Sequence, residues 1–270
     1  MELAGKVAFI TGGGGGIGGG IAEACAEKGM KLVLTDINLD YAREEAAKYG
    51  DNALALQHDV TSLDSWASVR DAAFERFGQV DVVCNNAGIA TAFKPLFETS
   101  PEEFARVMAI NVTGVYNGFM TFFPHMRDRG NGHIVNTSSM NGLNPFGNFS
   151  AYSASKFAVT GLSDGMRDEM APHGIGVSIL FPGLTRSRMS LAEDSPSAAD
   201  KARAAAMAAN MMEPVWLGRA VVRAIEQNEP YIISHPGYRP MFEQRCQKLL
   251  DAFREPAQPG LTGDSARRPE

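Results

Sequence analysis

KVAFITGGGGGIGGGIAEACAEKGMKLVLTD, running from Lys6 to Asp36, is the stretch whose reading decides the fold. Val7 to Ile10 is a short apolar run that ends at Thr11, and Gly12 through Gly20 follow it, interrupted only by Ile17. Ile21, Ala22, Cys25 and Ala26 then recur on one helical face with Gly29 as a stop, and a second run, Lys31 to Thr35, ends at Asp36. Strand, glycine turn, helix and strand within about 30 residues make one βαβ unit, the connection that a parallel sheet requires.

The alternation continues outward. Ala53 to Gln57, Val80 to Cys84, His133 to Thr137, Val177 to Phe181 and Tyr231 to Ser234 read as strands. Leu63 to Phe77, Ser100 to about Arg127, Ala151 to Ala171, Val215 to Glu226 and Met241 to Phe253 read as helices, the last of them amphipathic. Ser100-Pro101-Glu102-Glu103 is a helix start with Ser as the cap, and Phe104, Val107, Met108, Val115 and Phe122 form that helix's apolar stripe. Pro124 should kink or fray its last turn. The pattern predicts an α/β fold: a doubly wound parallel sheet of about seven strands flanked by helices, in one domain over 1–254, with ligands at the carboxyl ends of the strands. Residues 184–213 break the rhythm, and 255–270, with few apolar residues, are expected to be a flexible tail.

Composition excludes several classes. A hydrophobic fraction of 44% and a charged fraction of 21% in 270 residues argue against a disordered or fibrous chain. No stretch approaches the roughly 20 apolar residues of a membrane span, and the N-terminal apolar run is too short for a signal peptide, so a cytoplasmic protein with no membrane partner is expected. The net charge of −6 leaves no basic excess for nucleic acid. Cys25, Cys84 and Cys246 are widely spaced and lack a C-x-x-C pair, which fits reduced thiols and predicts neither a disulfide nor a metal.

The glycine turn carries the first chemistry. A helix N-terminus offers unpaired amides and partial positive charge, and glycines such as Gly12, Gly16 and Gly18 let a pyrophosphate approach the backbone. A Gly-rich surface turn is the alternative, but this one follows a strand, opens a helix and has an acid at the end of the next strand. Asp36 can accept hydrogen bonds from adenosine ribose hydroxyls and would repel a 2′-phosphate, which favours NAD over NADP; its other reading is as part of the cap of the following helix with Asn38 or Asp40. No Gly-Lys-Ser/Thr follows, so a P-loop is disfavoured.

Tyr152 and Lys156 stand four residues apart on a predicted helix and so share one face. A tyrosine with a pKa near 10 is a poor base at neutral pH, and a cation beside it favours the phenolate. Together with Thr11-Gly12-x-x-x-Gly16-Ile17-Gly18, Asn85-Asn86-Ala87-Gly88, Asn111 in mid-helix, Ser139-Met140-Asn141-Gly142, Tyr152-Ser153-Ala154-Ser155-Lys156 and Pro182-Gly183, this pair resembles the classical short-chain dehydrogenase/reductases over roughly residues 4–235. The resemblance implies a Rossmann-type sheet and an NAD-dependent interconversion of alcohol and ketone. It makes Tyr152 the general acid/base, Ser139 a hydrogen-bond partner of the reacting oxygen, Lys156 the group that lowers the tyrosine pKa and binds the nicotinamide ribose, and Asn111 the holder of a water that links Lys156 to solvent. Ser138 is adjacent, but strand neighbours point oppositely and the Ser-x-x-Gly pattern selects Ser139.

On the same resemblance the cofactor is NAD, held by Gly12, Gly16, Ile17, Gly18, Asp36, Ile37, Asp59, Val60, Asn86, Tyr152, Lys156, Thr185 and Ser187, with Asp59 and Val60 at the adenine and Asn86 on the adenosine side. Where the family has an apolar residue and then Thr after Pro-Gly, this chain has Thr185 and Ser187.

Residues 184–213 fall where the family has its variable substrate lid, and Met189, Leu191, Met207, Met211 and Met212, with Phe93, Phe146 and Phe149, predict a small-molecule secondary alcohol or ketone with a bulky apolar or aromatic body; ordinary core is the other reading. Ala151, Ala154, Ala158, Gly161 and Gly165 form a stripe of small residues on the Tyr152 helix, and a homotetramer, or a homodimer, is expected; packing against its own sheet is the competing view. Two rivals remain. A non-catalytic nucleotide-sensing protein has no need for all of Ser139, Tyr152, Lys156 and Asn111, and an extended-type sugar-nucleotide epimerase or dehydratase needs a longer C-terminal part than follows Phe181.

Overall fold

The computed structural model describes residues 1–191 and 198–253. Seven strands, β1 (Val7–Thr11), β2 (Lys31–Asp36), β3 (Ala53–Gln57), β4 (Val82–Asn85), β5 (Gly132–Thr137), β6 (Ile175–Phe181) and β7 (Tyr231–Ile233), pair in the order β3-β2-β1-β4-β5-β6-β7, every pair parallel. The order reverses between β1 and β4, where Ile10 lies beside Cys84, so the carboxyl ends of these two strands border the crevice in which such sheets bind ligands.

Burial on both faces explains why the strands are continuous apolar runs. Alternate residues of β1 supply the two cores. Ala8 and Ile10 pack with Ile21, Cys25, Leu217 and Val221 under α1 (Gly16–Glu27) and α9 (Pro214–Gln227). Val7 and Phe9 pack with Trp66, Phe122 and Met166 under α3 (Leu63–Phe77), α5 (Gly114–Arg129) and α6 (Ser150–Met170). Cys25 and Cys84 are free and buried, and burial pushes the Cys25 thiol up to about 12, which suits inert core residues. Part of the glycine excess serves neither strand nor ligand: a Cβ on Gly20 would collide with Pro214 and one on Gly218 with the Gly20 carbonyl, so these two glycines set the close approach of α1 and α9.

Two expectations are corrected. The helix that was to run unbroken from Ser100 is α4 (Pro101–Met108), one wide π turn (Ala109–Thr113) and then α5; the extra residue of that turn lies around Asn111, which is buried. Pro124 lies inside α5, which continues to Arg129 and is capped by Gly130 in the left-handed region; Phe104 of the expected apolar stripe is exposed. Residues 184–213, which break the rhythm of strands, hold α7 (Arg188–Leu191) and α8 (Ala198–Met207). Residues 192–197 of that stretch and the tail at 255–270 fall outside the described residues.

All seven strands belong to Met1–His235, and the chain from Pro236 forms a second, small unit. Its helix, α10 (Arg239–Leu250), has no buried residue.

Candidate active site

The glycine turn is stitched to the neighbouring strand by two side chains. Thr11 Oγ1 accepts the Asn86 and Ala87 amides, each at 2.9 Å, and Asn86 Nδ2 donates to the Thr11 and Gly12 carbonyls at 3.0 and 3.3 Å. Asn86, expected on the adenosine side of a cofactor, thus has its amide donor committed to the turn itself. Gly12 adopts a φ of 61°, and a Cβ on Gly18 would overlap the Gly12 carbonyl oxygen, so only glycine lets α1 start this close to β1. Gly15 precedes α1 without any side-chain cap, and no acidic residue occupies the first turn, which leaves an amide-lined cradle with positive helix-end character. Asp36 closes the other side: its Oδ2 accepts Gly14 N–H at 3.2 Å and its Oδ1 accepts Asn38 N–H at 3.0 Å, which ties it to the turn and to the start of the next helix, as the cap reading holds. Asn38 is the cap of α2 (Leu39–Ala46). The shape and donor set of this cradle fit a dinucleotide diphosphate.

The remaining expected cofactor residues lie at the same strand ends. Ile37 is exposed after β2, at 63%. After β3, Asp59 is exposed and its carboxylate accepts the Thr61 hydroxyl and amide, which hold its pKa below the usual carboxylate range. Val60 is buried, and its carbonyl accepts Trp66 Nε1 at 2.9 Å and Asn117 Nδ2 at 3.1 Å. Beyond β6, Thr185 is buried and bonded to the Gly183 carbonyl, while Ser187 lies against the glycine turn, its Cβ 2.7 Å from where a Gly16 Cβ would stand.

Ser139 and Ser138 face opposite ways, as strand geometry requires. Ser138 Oγ turns to α6, donating to the Lys156 carbonyl at 2.8 Å, whereas Ser139 Oγ accepts the Asn141 amide at 3.1 Å and stands beside the Tyr152 hydroxyl. With an N–H already donated to its oxygen, Ser139 has its own proton to give. Lys156 Nζ lies 5.6 Å from the Tyr152 ring centroid and donates to the Thr137 carbonyl at 2.8 Å. Burial pushes the Lys156 ammonium down to about 8. The expectation that Lys156 would leave Tyr152 with a depressed pKa is corrected: burial raises the phenol above its ordinary value, and the opposing influence is the neighbouring Ser139 hydroxyl.

Asn111 is clamped rather than loose. Its Oδ1 accepts Ile89 N–H at 2.8 Å and its Nδ2 donates to the Ile89 carbonyl at 2.9 Å and Ser155 Oγ at 3.0 Å. Gly88 completes this group, because a Cβ there would stand 3.1 Å from Asn111 Oδ1 and 3.4 Å from Lys156 Nζ, filling the gap between them. The Asn85-Asn86-Ala87-Gly88 motif was legible in the sequence, but the stitching by Thr11 and the reason for Gly88 were not; the threonine directly before the glycine run was the available signal.

On the substrate side, Phe93, Phe149 and Tyr152 form a ladder with centroid separations of 5.5 and 5.6 Å, the second pair edge to face. Phe93, Phe146 and Met189 are exposed. The lid methionines divide: Met211 is buried and Met212 packs on the core, as the ordinary-core reading holds, while Met207 is exposed. The Leu191 side chain lies outside the described residues. Among the described residues no group of His, Cys, Asp and Glu could hold a metal ion, and no helix is long and apolar enough to cross a membrane.

Known proteins share this arrangement. The sequence model described as short chain dehydrogenase matches residues 6–198. A C alpha-dehydrogenase of a Sphingobium species is 30% identical over 264 residues, covering 92% of this chain and 86% of that protein. The 3beta-hydroxysteroid dehydrogenase 2 of Eggerthella lenta is 35% identical over 206 residues, 75% of this chain and 79% of its own length. A short chain dehydrogenase/reductase from Burkholderia phymatum, solved in complex with NAD, superposes with a TM-score of 0.85 at 29% identity, over 97% of this chain and all of that one. With the parallel sheet, the glycine cradle and the Ser139, Tyr152 and Lys156 cluster in place, the chain belongs to the short-chain dehydrogenase/reductase family of oxidoreductases.

Proposed function

We propose that the protein is an NAD(H)-dependent oxidoreductase that interconverts a secondary alcohol and a ketone on a bulky apolar or aromatic body, with Tyr152 as general acid/base. The observation that carries this reading is the Tyr152 hydroxyl beside Ser139, one helical turn before a buried Lys156, at the carboxyl end of the sheet that also carries the glycine cradle. The cradle of Gly12, Gly16, Ile17 and Gly18 would hold the diphosphate, Asp36 the adenosine ribose, Ile37, Asp59 and Val60 the adenine, and Thr185 and Ser187 the nicotinamide end, with Asn86 keeping the turn in shape. When bound, NAD accepts or returns the hydride.

The chain's own residues handle the proton. Burial keeps the Tyr152 phenol protonated, the form that donates to a ketone oxygen during reduction. Alcohol oxidation needs the phenolate, which the Ser139 O–H favours. Asn111, fixed by Ile89 and Ser155, keeps the space beside Lys156 from which a water would relay the proton. The Asp36 carboxylate disfavours the extra phosphate of NADP. A bulky apolar body is supported by the Phe93–Phe149–Tyr152 ladder and by relatives whose names include a hydroxysteroid dehydrogenase, a secondary-alcohol chemistry.

A homotetramer completes the reading. Ala154, Gly161 and Gly165 of α6 are exposed and nothing lies within 4 Å of a Cβ at either glycine, so the small-residue stripe is not spent on the chain's own sheet apart from Ala151. The test of the function is to follow NADH absorbance with cyclic, aryl and steroid secondary alcohols, running NADP in parallel. Turnover of at least one bulky alcohol with NAD preferred over NADP is the expected result. A preference for NADP overturns the cofactor assignment, and turnover confined to small polar alcohols overturns the substrate class.

A further inference from the structure

Tyr152 stands at the weak end of its helix. It is the third residue of α6, and α6 begins without a side-chain cap: Phe149 precedes the helix and offers its first turn a backbone carbonyl, which accepts Ser153 N–H at 2.8 Å. Ser153 Oγ ties this turn to the Ser139 loop by donating to Asn141 Oδ1 at 3.2 Å. A second tie comes from another helix. Ser100 caps α4 by accepting Glu103 N–H at 3.2 Å, and Glu103 Oε2 meets Lys94 Nζ at 2.6 Å. The Lys94 amide in turn donates to the Asn148 carbonyl at 3.0 Å. Asn148 takes a φ of 61°, and the next residue, Phe149, sets its ring at 82° to that of Tyr152.

We propose that Lys94 and Asn148 are positioning residues for Tyr152, bracing the uncapped start of α6 against α4 so that the phenol stays where proton transfer needs it. This rests on the acid/base reading of Tyr152 given above. Three properties of the place support it. Lys94 enters the brace twice, by its ammonium to Glu103 and by its amide to Asn148, so a displaced Lys94 frees both neighbours at once. The ion pair is a charged hydrogen bond between side chains only 26% and 31% exposed, and Glu103 lies in a capped turn, which makes the anchor firm. The left-handed backbone at Asn148 is one that asparagine tolerates and a β-branched residue does not, and it sets the direction in which the chain enters α6. The segment that carries Lys94 is itself fixed five residues earlier, where Asn111 clamps both backbone groups of Ile89.

The test measures kcat, NADH affinity and the pH profile of alcohol oxidation in wild type and variants. Lys94→Met keeps the stem and removes the charge; kcat should fall by at least about fivefold while NADH affinity is unchanged. The rising limb of the oxidation profile should move to higher pH, because a phenol that drifts from Ser139 loses the influence that lowers its pKa. Glu103→Gln should do the same, and the double variant should lose no more than either alone. Asn148→Val should match Lys94→Met, whereas the conservative Lys94→Arg and Asn148→Gly, the latter at ease with a positive φ, should keep at least about half of the wild-type rate. Unchanged kcat in Lys94→Met and Asn148→Val overturns the brace and leaves the proposed function standing. A fall in kcat matched by an equal loss of NADH affinity, or not rescued by the conservative variants, also overturns it, because the substitutions then disturb the site as a whole. A wild type without NAD-linked turnover, or a Tyr152→Phe variant as fast as wild type, removes the acid/base reading and the brace together.

Discussion

Acidification offers a quantitative test of the core that carries the site, through two histidines the chemistry does not use. His58 and His133 are each 2% exposed, and burial pushes each from 6.5 down to about 4. His58 sits edge-on to Trp66 with centroids 4.2 Å apart and bonds Thr35 Oγ1 at 3.0 Å, directly before Asp59 and Val60. His133 Nε2 lies 2.8 Å from Ser178 Oγ, whose own proton goes to the Glu229 carbonyl, so Nε2 is the protonated nitrogen of a neutral ring. A base with a depressed pKa in the fold favours the unfolded chain wherever the unfolded chain alone is protonated. Stability should therefore be full above pH 6.5, fall as the pH drops from 6.5 towards 4, and lose nothing further from these groups below that. A shift of this size is worth roughly 3 kcal/mol per histidine when complete, and about 2 kcal/mol each by pH 5, or about 4 kcal/mol together. That is a large share of a typical stability of about 5–15 kcal/mol. Urea unfolding at pH 7.5, 6 and 5 measures it. His58→Asn and His133→Gln, which retain a polar atom near Nδ1 and Nε2 respectively, should each remove about half of the slope. A stability that changes by less than about 1 kcal/mol between pH 7.5 and 5, or a slope indifferent to both substitutions, would refute the reasoning.

Two further perturbations probe the cradle. Gly18→Ala drives a Cβ into the Gly12 carbonyl oxygen, so α1 must move away from β1; NADH fluorescence titration should show at least about a tenfold loss of affinity, with a stability cost of about 1–3 kcal/mol by thermal melting. Asp36→Ala removes the carboxylate that repels a 2′-phosphate and should narrow the ratio of kcat/KM for NAD over NADP by about tenfold or more; an unchanged ratio would assign the preference elsewhere.

Much of the fold was legible because its strands are buried on both faces and so appear as uninterrupted apolar runs between caps and glycines. Leu63–Phe77 and Ala53–Gln57 match the sequence expectation at both ends. The π turn was not legible: one extra residue in a helix barely disturbs a 3.6-residue period, and only the presence of Asn111 among apolar neighbours marked the place. Strand alternation allowed only one of Ser138 and Ser139 to face the site and the Ser-x-x-Gly pattern chose Ser139; the two hydroxyls do point to different partners. The electrostatics of the pair Tyr152 and Lys156 did not follow from spacing, because spacing places two groups on one face without saying how deep they lie, and depth moves both pKa values away from the charged form. Contacts between distant segments, such as Gly20 with Gly218 or Arg188 with Tyr41, left no mark in either local sequence.

Substituting phenylalanine at Tyr152 and measuring cofactor binding beside turnover is the most direct measurement of the acid/base assignment. Tyr152→Phe keeps the ring against Phe149 and removes only the oxygen beside Ser139, so NADH should bind as in the wild type while kcat falls by at least about a hundredfold. A variant that binds NADH normally and turns over at a rate close to wild type would contradict the account.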